Sequence, residues 1–536
     1  RFVDRREHGR FNVVLLGDDA VNRRCPYARR IAMEARRGTA LVVVLVVVTL
    51  LSFAAYTFTD LMFAEYQAAD ASGRSVQTRL LCESGAEKLQ SLLKLDTLAL
   101  RERGGLYDNP AELQAIAVVE GTAAGDRARF SILATAYAEG AEPSLRYGLD
   151  DESAKLNLNV LLSLQTDEEQ QRTRLMAVPG MSEEIADSIL DWLDDDDEPR
   201  EFGAEASYYS GLAPPYAPKN GPLTTLEELL LVRGVTPQHL FGLDADRNGL
   251  ADAGEQATLL PAEVDNSDRS FDRGWSGYFT LHGAEGNRKA DGTPRINING
   301  EELETLYADL QAAGQPELAS FVVNYRQSGA YTGSAGANAD LATSSTPDFT
   351  KSARYKFQTP LDLVGATTSA TMQGTTVAIQ SPVKNDPLIL AQMLPLLMDQ
   401  LSTTDAKVVP GRINVNQAPQ ALLLGIPGLR EDQVAQIISM RYPEPTEQMP
   451  GSEYPTWLLA QGIVTLDEMK ALLPYVTAAG HVYRAQIVGY YDDAGPTARV
   501  ETLIDATSTV PRRLLWRELT HLGPGFPKTT LGTVGP

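Results

Sequence analysis

Twenty residues without a charge, Thr39 to Phe58, constrain this chain more than anything else in it. The run reads TALVVVLVVVTLLSFAAYTF, and the next charge is Asp60. Val and Leu fall on every face of the helix it would form. About 20 apolar residues wound as a helix span the hydrocarbon of a bilayer. A buried core helix is the soluble alternative, and the run of Val and Leu on every face over a full bilayer length favours the span. Charge then orients the span. Residues 1–38 hold ten Arg and five acids, a net of +5, while the remainder carries −28. Basic residues stay on the cytoplasmic side, so the bulk of the chain lies across the membrane.

A secretory signal peptide places a small-x-small cleavage site after its apolar core. Phe58-Thr59-Asp60-Leu61 offers none. The residues before the core, Arg36-Arg37-Gly38 and then Thr39-Ala40-Leu41, resemble a type IV prepilin leader. The resemblance implies a cut between Gly38 and Thr39 by the prepilin peptidase, with the apolar helix kept in the mature protein. Leaders of this type are short, and Met33 lies five residues before Gly38. The expectation is therefore that translation starts at Met33 and that residues 1–32 are an extension. Cys25 falls within it, which leaves Cys82 without a disulfide partner. Pilin subunits resemble one another in a Glu at the fifth mature position. That carboxylate needs a partner within the bilayer, the N-terminal amine of a neighbouring subunit. Here the position is Val43, which suits a subunit at the end of a fibre.

Beyond the span, Asp60–Leu100 reads as a continuing amphipathic helix through Leu80, Leu81, Leu89, Leu92, Leu93 and Leu95. Phe130–Tyr137 and Ser144–Gly148 read as strands joined by a turn at Ala138–Pro143. A repeat follows. Lys155-Leu-Asn-Leu-Asn159 recurs as Arg295-Ile-Asn-Ile-Asn299 and Arg412-Ile-Asn-Val-Asn416, and each copy opens a helical stretch that its Asn side chains can cap. Two copies carry Pro-Gly hairpins, Val178–Met181 and Ile426–Leu429. These resemble the helix-hairpin-helix module, whose DNA-binding versions meet phosphate. Here Ser182-Glu183-Glu184 and Arg430-Glu431-Asp432 put carboxylates where a phosphate would sit. A packing role is expected, with no nucleic acid as partner. A membrane-anchored DNA-binding protein of the competence type is the alternative reading, and it would need basic hairpin flanks.

The longest signature is Asp191-Trp-Leu-Asp-Asp-Asp-Asp-Glu-Pro199, followed by Gly203-Ala-Glu205, Tyr208-Tyr209, Pro214-Pro-Tyr216 and Leu226-Glu-Glu-Leu229. With Asp151-Glu152, Leu156–Asn159, Arg412–Pro419, Val482–Tyr490 and Leu514–Arg517, these residues resemble general secretion pathway protein K, the family of large minor pseudopilins of the type II secretion system. The resemblance implies an α+β fold: a pilin-like membrane helix and antiparallel sheet, with a large, mainly α-helical insertion carrying the hairpin repeats. The expected boundaries are leader 1–38, N-terminal helix 39–100 (membrane part 39–59), first sheet part 101–159, insertion 160–475 and last sheet part 476–536. It implies a single-pass inner-membrane protein with its bulk in the periplasm, joined to minor pseudopilins I and J at the tip of a fibre and helping to start its assembly. Residues 329–376, rich in Gly, Ser and Thr, depart from the family pattern. The family also resembles itself in binding calcium through acidic residues of the insertion, which here fall on Asp194, Asp196, Glu198 and Glu205.

A further calcium loop is legible from spacing alone. Asp244, Asp246, Asn248, Asp252 and Glu255 occupy positions one, three, five, nine and twelve of an EF-hand loop, with Gly249 at six and the Leu250 carbonyl at seven. Hard oxygen ligands without His or Cys select calcium. Carboxylate groups such as Asp150-Asp151-Glu152 raise a hydrolase as a rival, but no phosphate loop, GxSxG or HExxH accompanies them, and a non-enzymatic role is expected.

Overall fold

The computed structural model describes residues 31–532 apart from 137–143, 164–166, 253, 257–259, 261–263, 265, 332–346, 373–374, 445–448, 450 and 494. Cys25, the turn expected at Ala138–Pro143 and part of the 329–376 stretch lie outside the described residues.

Helix α1 (Ile31–Leu92) runs 62 residues. Contacts divide the chain into two compact units, 1–73 and 74–536. In the first, Leu41, Val43, Val44 and Phe53 stand exposed along the helix. Among the described residues α1 is the helix long and apolar enough to cross a membrane. In the second unit the end of α1 becomes one-sided: Leu81, Cys82, Ala86, Leu89 and Leu92 are buried. The helix stops at Leu92, short of the Leu100 that periodicity predicts. The Asp96 side chain accepts the Ala99 amide at 2.8 Å and starts a separate helix, Thr97–Glu102. An Asp that caps a new turn competes with continuation of the old one.

The sheet beneath α1 is antiparallel and seven-stranded. Strands β1 (Ile116–Val119), β2 (Ala128–Ala136), β3 (Ser144–Arg146) and β4 (Asp150–Asp151) come from one end of the unit. Strands β5 (Val482–Tyr491), β6 (Ala498–Asp505) and β7 (Arg512–Glu518) come from the other. The order is β1-β2-β5-β6-β7, with β3 on β2 and β4 on β5. Ile132 pairs with Ile487, and Ile487 with Val500, which sets one apolar row under the helix. Two glycines let helix and sheet touch. A Cβ on Gly85 would lie 2.6 Å from Ile487 Cγ2, and one on Gly489 would lie 2.3 Å from the Thr78 carbonyl.

The chain between β4 and β5 is built on the repeat. Leu156–Asn157 pairs in parallel with Phe279–Thr280, Ile296–Asn297 with Leu401–Ser402, and Ile413–Asn414 with Val476–Thr477. In each copy the first Asn accepts the amide of the second: Asn157 from Asn159, Asn297 from Asn299, Asn414 from Asn416. The second Asn then grips an incoming loop. Asn159 exchanges bonds with the Leu223 backbone, and Asn299 with that of Phe357. Asn416 donates to Ser452 and Ala478 and accepts from Trp457 Nε1. A helix pair follows every copy: α2 (Glu168–Met176) with α3 (Glu183–Leu193), α4 (Leu303–Ala312) with α5 (Pro316–Ser328), and α6 (Gln420–Leu424) with α7 (Glu431–Met440). Their turns pass through Gly180, Gly314 and Gly428 at φ of 72°, 79° and 84°, a region open to glycine at no steric cost. The three copies share one apolar core, from Leu156 to Val476.

Candidate metal centres

Helix Pro237–Phe241 is capped by Thr236 and His239 and leads into the first candidate loop. Asp244 takes the Asn248 amide on Oδ1 and the Gly249 amide on Oδ2, each at 2.9 Å. Asp246 also accepts from Asn248 N (2.8 Å), and Asn248 Oδ1 accepts from Leu250 N (2.7 Å). Glu255 reaches back to the amides of Asp246 (2.9 Å) and Asp252 (3.0 Å). Asp252 Oδ2 is held by Asn248 Nδ2 at 3.1 Å. One oxygen from each of Asp244, Asp246 and Glu255 lies within 4.8 Å of the others. Oxygens so spaced can share an ion at about 2.4 Å, a calcium–oxygen distance. Burial pushes the Asp244 carboxyl up to about 7, against the pull of Arg273 and with Asp246 and Glu255 adding repulsion. The structure thus brings three of the expected ligands together and places Asn248, Leu250 and Asp252 around them.

The second candidate forms where α3 ends. Oxygens of Asp191, Asp194 and Glu205 lie within 4.8 Å of one another. Glu205 is 2 % exposed, and neither of its carboxylate oxygens has a hydrogen-bond partner. Asp194 Oδ1 is likewise buried and unpartnered. Buried acceptors are normally satisfied, so three orphaned oxygens within one acidic group fit a bound cation. Arg200 partly neutralises the group, donating to Asp191 at 2.7 Å and to Asp194. Burial, then Asp191 and Asp194, push Glu205 up to about 7. Asp196 and Glu198 stand exposed outside the group, Asp196 accepting the Glu198 amide at 2.8 Å. Asp191 takes the place the sequence offered them. The signal for it was spacing: Asp191 and Asp194 lie three apart at a helix end, on one face.

Gly38 and Thr39 lie within the helical backbone of α1, and Val43 is 60 % exposed. The hydrolase rival loses Asp151, whose buried carboxylate is spent on Ser153 N, Gly480 N and Asn414 Nδ2.

Residues 154–243 match the family model "Type II secretion system (T2SS), protein K". They span the first repeat copy, the first helix pair and the second candidate site. The matched family is that of type II secretion system protein K. A curated protein K from Pseudomonas aeruginosa is 38% identical over 97 residues. That match takes in 17% of this chain and 29% of the relative, under a third of its length. Among solved structures, the GspK-GspI-GspJ complex of the enterotoxigenic Escherichia coli type 2 secretion system aligns over 85% of this chain and 98% of that chain. Identity there is 11% and the TM-score 0.33, a likeness too slight to support any statement about partners.

Proposed function

We propose that this chain is a non-enzymatic minor pseudopilin K that caps the tip of a type II secretion pseudopilus and helps start its assembly. It is anchored by one span in the inner membrane, with its bulk in the periplasm. The prepilin peptidase cuts it between Gly38 and Thr39, and minor pseudopilins I and J join it through the N-terminal helices. One observation carries the reading: the protein K match lies inside an insertion that interrupts a single sheet packed on the C-terminal end of α1, Leu81 to Leu92. Subunits that repeat along a packed fibre have no room for an insertion of that size between β4 and β5, whereas a subunit with nothing above it does. The Val43 side chain agrees, since it brings no carboxylate to a neighbour's N-terminus. We read the helix pairs as helix-hairpin-helix-like packing units and not as a nucleic-acid surface, because Glu183, Glu184, Glu431 and Asp432 occupy the first turns. Calcium at the two acidic groups is part of the same reading. The test is co-purification of the mature chain with two smaller pseudopilins at one copy each, and labelling of the assembled fibre. Label at one end supports the tip assignment; label along its length, or a homopolymer of the chain, overturns it.

A further inference from the structure

The loop Asp244–Glu255 touches two parts of the fold at once. On one side it hangs from the insertion, where the Leu243 and Asp244 amides donate to the Asp272 carbonyl at 2.9 and 3.1 Å. On the other it meets the sheet. Gln486 of β5 donates to the Arg247 carbonyl. Arg499 of β6, wholly buried, donates to the Asp246 carbonyl and holds Nη1 3.8 Å from Asp246 Oδ1. Asn248 Nδ2 donates to the Gly525 carbonyl at 2.8 Å. Gly249 faces β2, where a Cβ would come within 2.1 Å of Thr135 Oγ1.

Arg247 also begins a line of alternating charge that crosses the same junction. Glu227 lies 3.2 Å from Arg247 and 2.5 Å from Arg517. Arg517 reaches Glu501 at 3.6 Å, and Arg484 reaches Glu501 at 3.0 Å and Glu152 at 2.9 Å. Lys155 closes the line at 3.1 Å from Glu152. Loop and line both contribute to the walls of a partly open cavity of about 120 Å³ between insertion and sheet.

We propose that this loop is a cation-operated latch between the insertion and the pilin-like sheet. The inference rests on the calcium reading of the loop. Asp244, Asp246 and Glu255 repel one another at this spacing until an ion sits among them. The groups the sheet grips are the Asp246 and Arg247 carbonyls and the Asn248 side chain, all within the ion-binding turn. A loop that opens withdraws them together. Arg499, buried, and Gln486, half-buried, then lose the acceptors they now hold, which is costly. An ion that binds only the closed loop therefore stabilises the docked arrangement as well as its own ligands.

Hydrogen–deuterium exchange on the full chain in detergent, in calcium and in chelator, tests this, with Glu255→Gln and Arg499→Met as variants. Chelation is expected to speed exchange roughly tenfold in β6, β7 and the segment through Gly525 along with the loop, as local opening does. Glu255→Gln should reproduce that in calcium. Arg499→Met should loosen the same sheet segment while terbium luminescence still reports an occupied loop. Gln486→Ala, which removes one side-chain bond, serves if Arg499→Met fails to fold. Faster exchange confined to the loop overturns the latch and leaves calcium binding standing. No response to chelation in the loop or the sheet overturns the calcium reading of this loop and the latch with it.

Discussion

Cys82 illustrates how one residue's chemistry follows from where α1 meets the sheet. Its thiol donates to the carbonyls of Ile487 (3.5 Å) and Ala498 (3.4 Å). Burial pushes it up to about 12, and the thiolate is the reactive form. A maleimide at pH 7.5 should leave Cys82 unlabelled in the folded chain and label it after denaturation; peptide mapping reads both. The junction carboxylates behave in the opposite sense. Burial alone would raise Glu152 and Glu501. Arg484 and Lys155 overcome it for Glu152, and Arg484 and Arg517 for Glu501, so both stay below the usual carboxylate range. A lowered folded pKa means that the unfolded chain binds these protons first. Their stabilisation is thus whole above the unfolded value of about 4.3 and is lost as pH falls through the folded values. The melting temperature should drop between about pH 5 and pH 3, with a shallower slope in Glu501→Gln. An equal slope in the variant would remove Glu501 from the account.

Among the elements, the short parallel strand pairs owe their form to Asn side chains more than to ladder bonds. Asn416 is buried and satisfies Ser452, Ala478 and Trp457. Replacing it with Ala strands those groups, at about 1–3 kcal/mol for a buried unsatisfied partner. Asn297 is half-buried and accepts one amide, from Asn299. Asn297→Ala should cost about 1 kcal/mol, the net worth of one such bond. Urea unfolding of the two variants gives the comparison, and equal losses would contradict it. The Asn repeat was legible because its spacing is constant. The loops it holds were not, although Thr225, Thr359 and Thr456 each precede a short helical turn: Leu226–Leu231, Pro360–Leu363 and Trp457–Ala460. Their distance from the Asn residues changes from copy to copy, so no fixed period links them.

For the whole molecule, the calcium proposed at the two acidic groups would couple its binding to folding. An ion held only by the native state contributes about 2.7 kcal/mol at a hundredfold excess over its dissociation constant. Chelation should lower the melting temperature of the full chain. Asp244→Ala with Glu255→Ala should remove the share due to the first loop, and adding Glu205→Gln the share due to the second group. An unchanged melting curve in chelator would exclude both.

The sequence by itself determined what local physics controls. Twenty uncharged residues point to an apolar helix, and short apolar runs separated by a turn marked β2 and β3. The EF-hand spacing put Asp244, Asp246 and Glu255 in one turn, because a tight loop with Gly249 at its sixth position leaves its side chains nowhere else to converge. Tertiary structure decided the rest. Whether an acid of the run Asp194–Glu198 joins Glu205 depends on where the chain heads after α3, and it turns so that Asp191 and Asp194 face Glu205 while Asp196 and Glu198 meet water. β5 lies between β2 and β6 because ends of the chain that are remote in sequence bury a common apolar row under α1, and nothing local records that pairing. The junction of the loop with Arg499 and Gln486 belongs to the same class: contacts between distant segments, chosen by packing and by the need to satisfy buried charge.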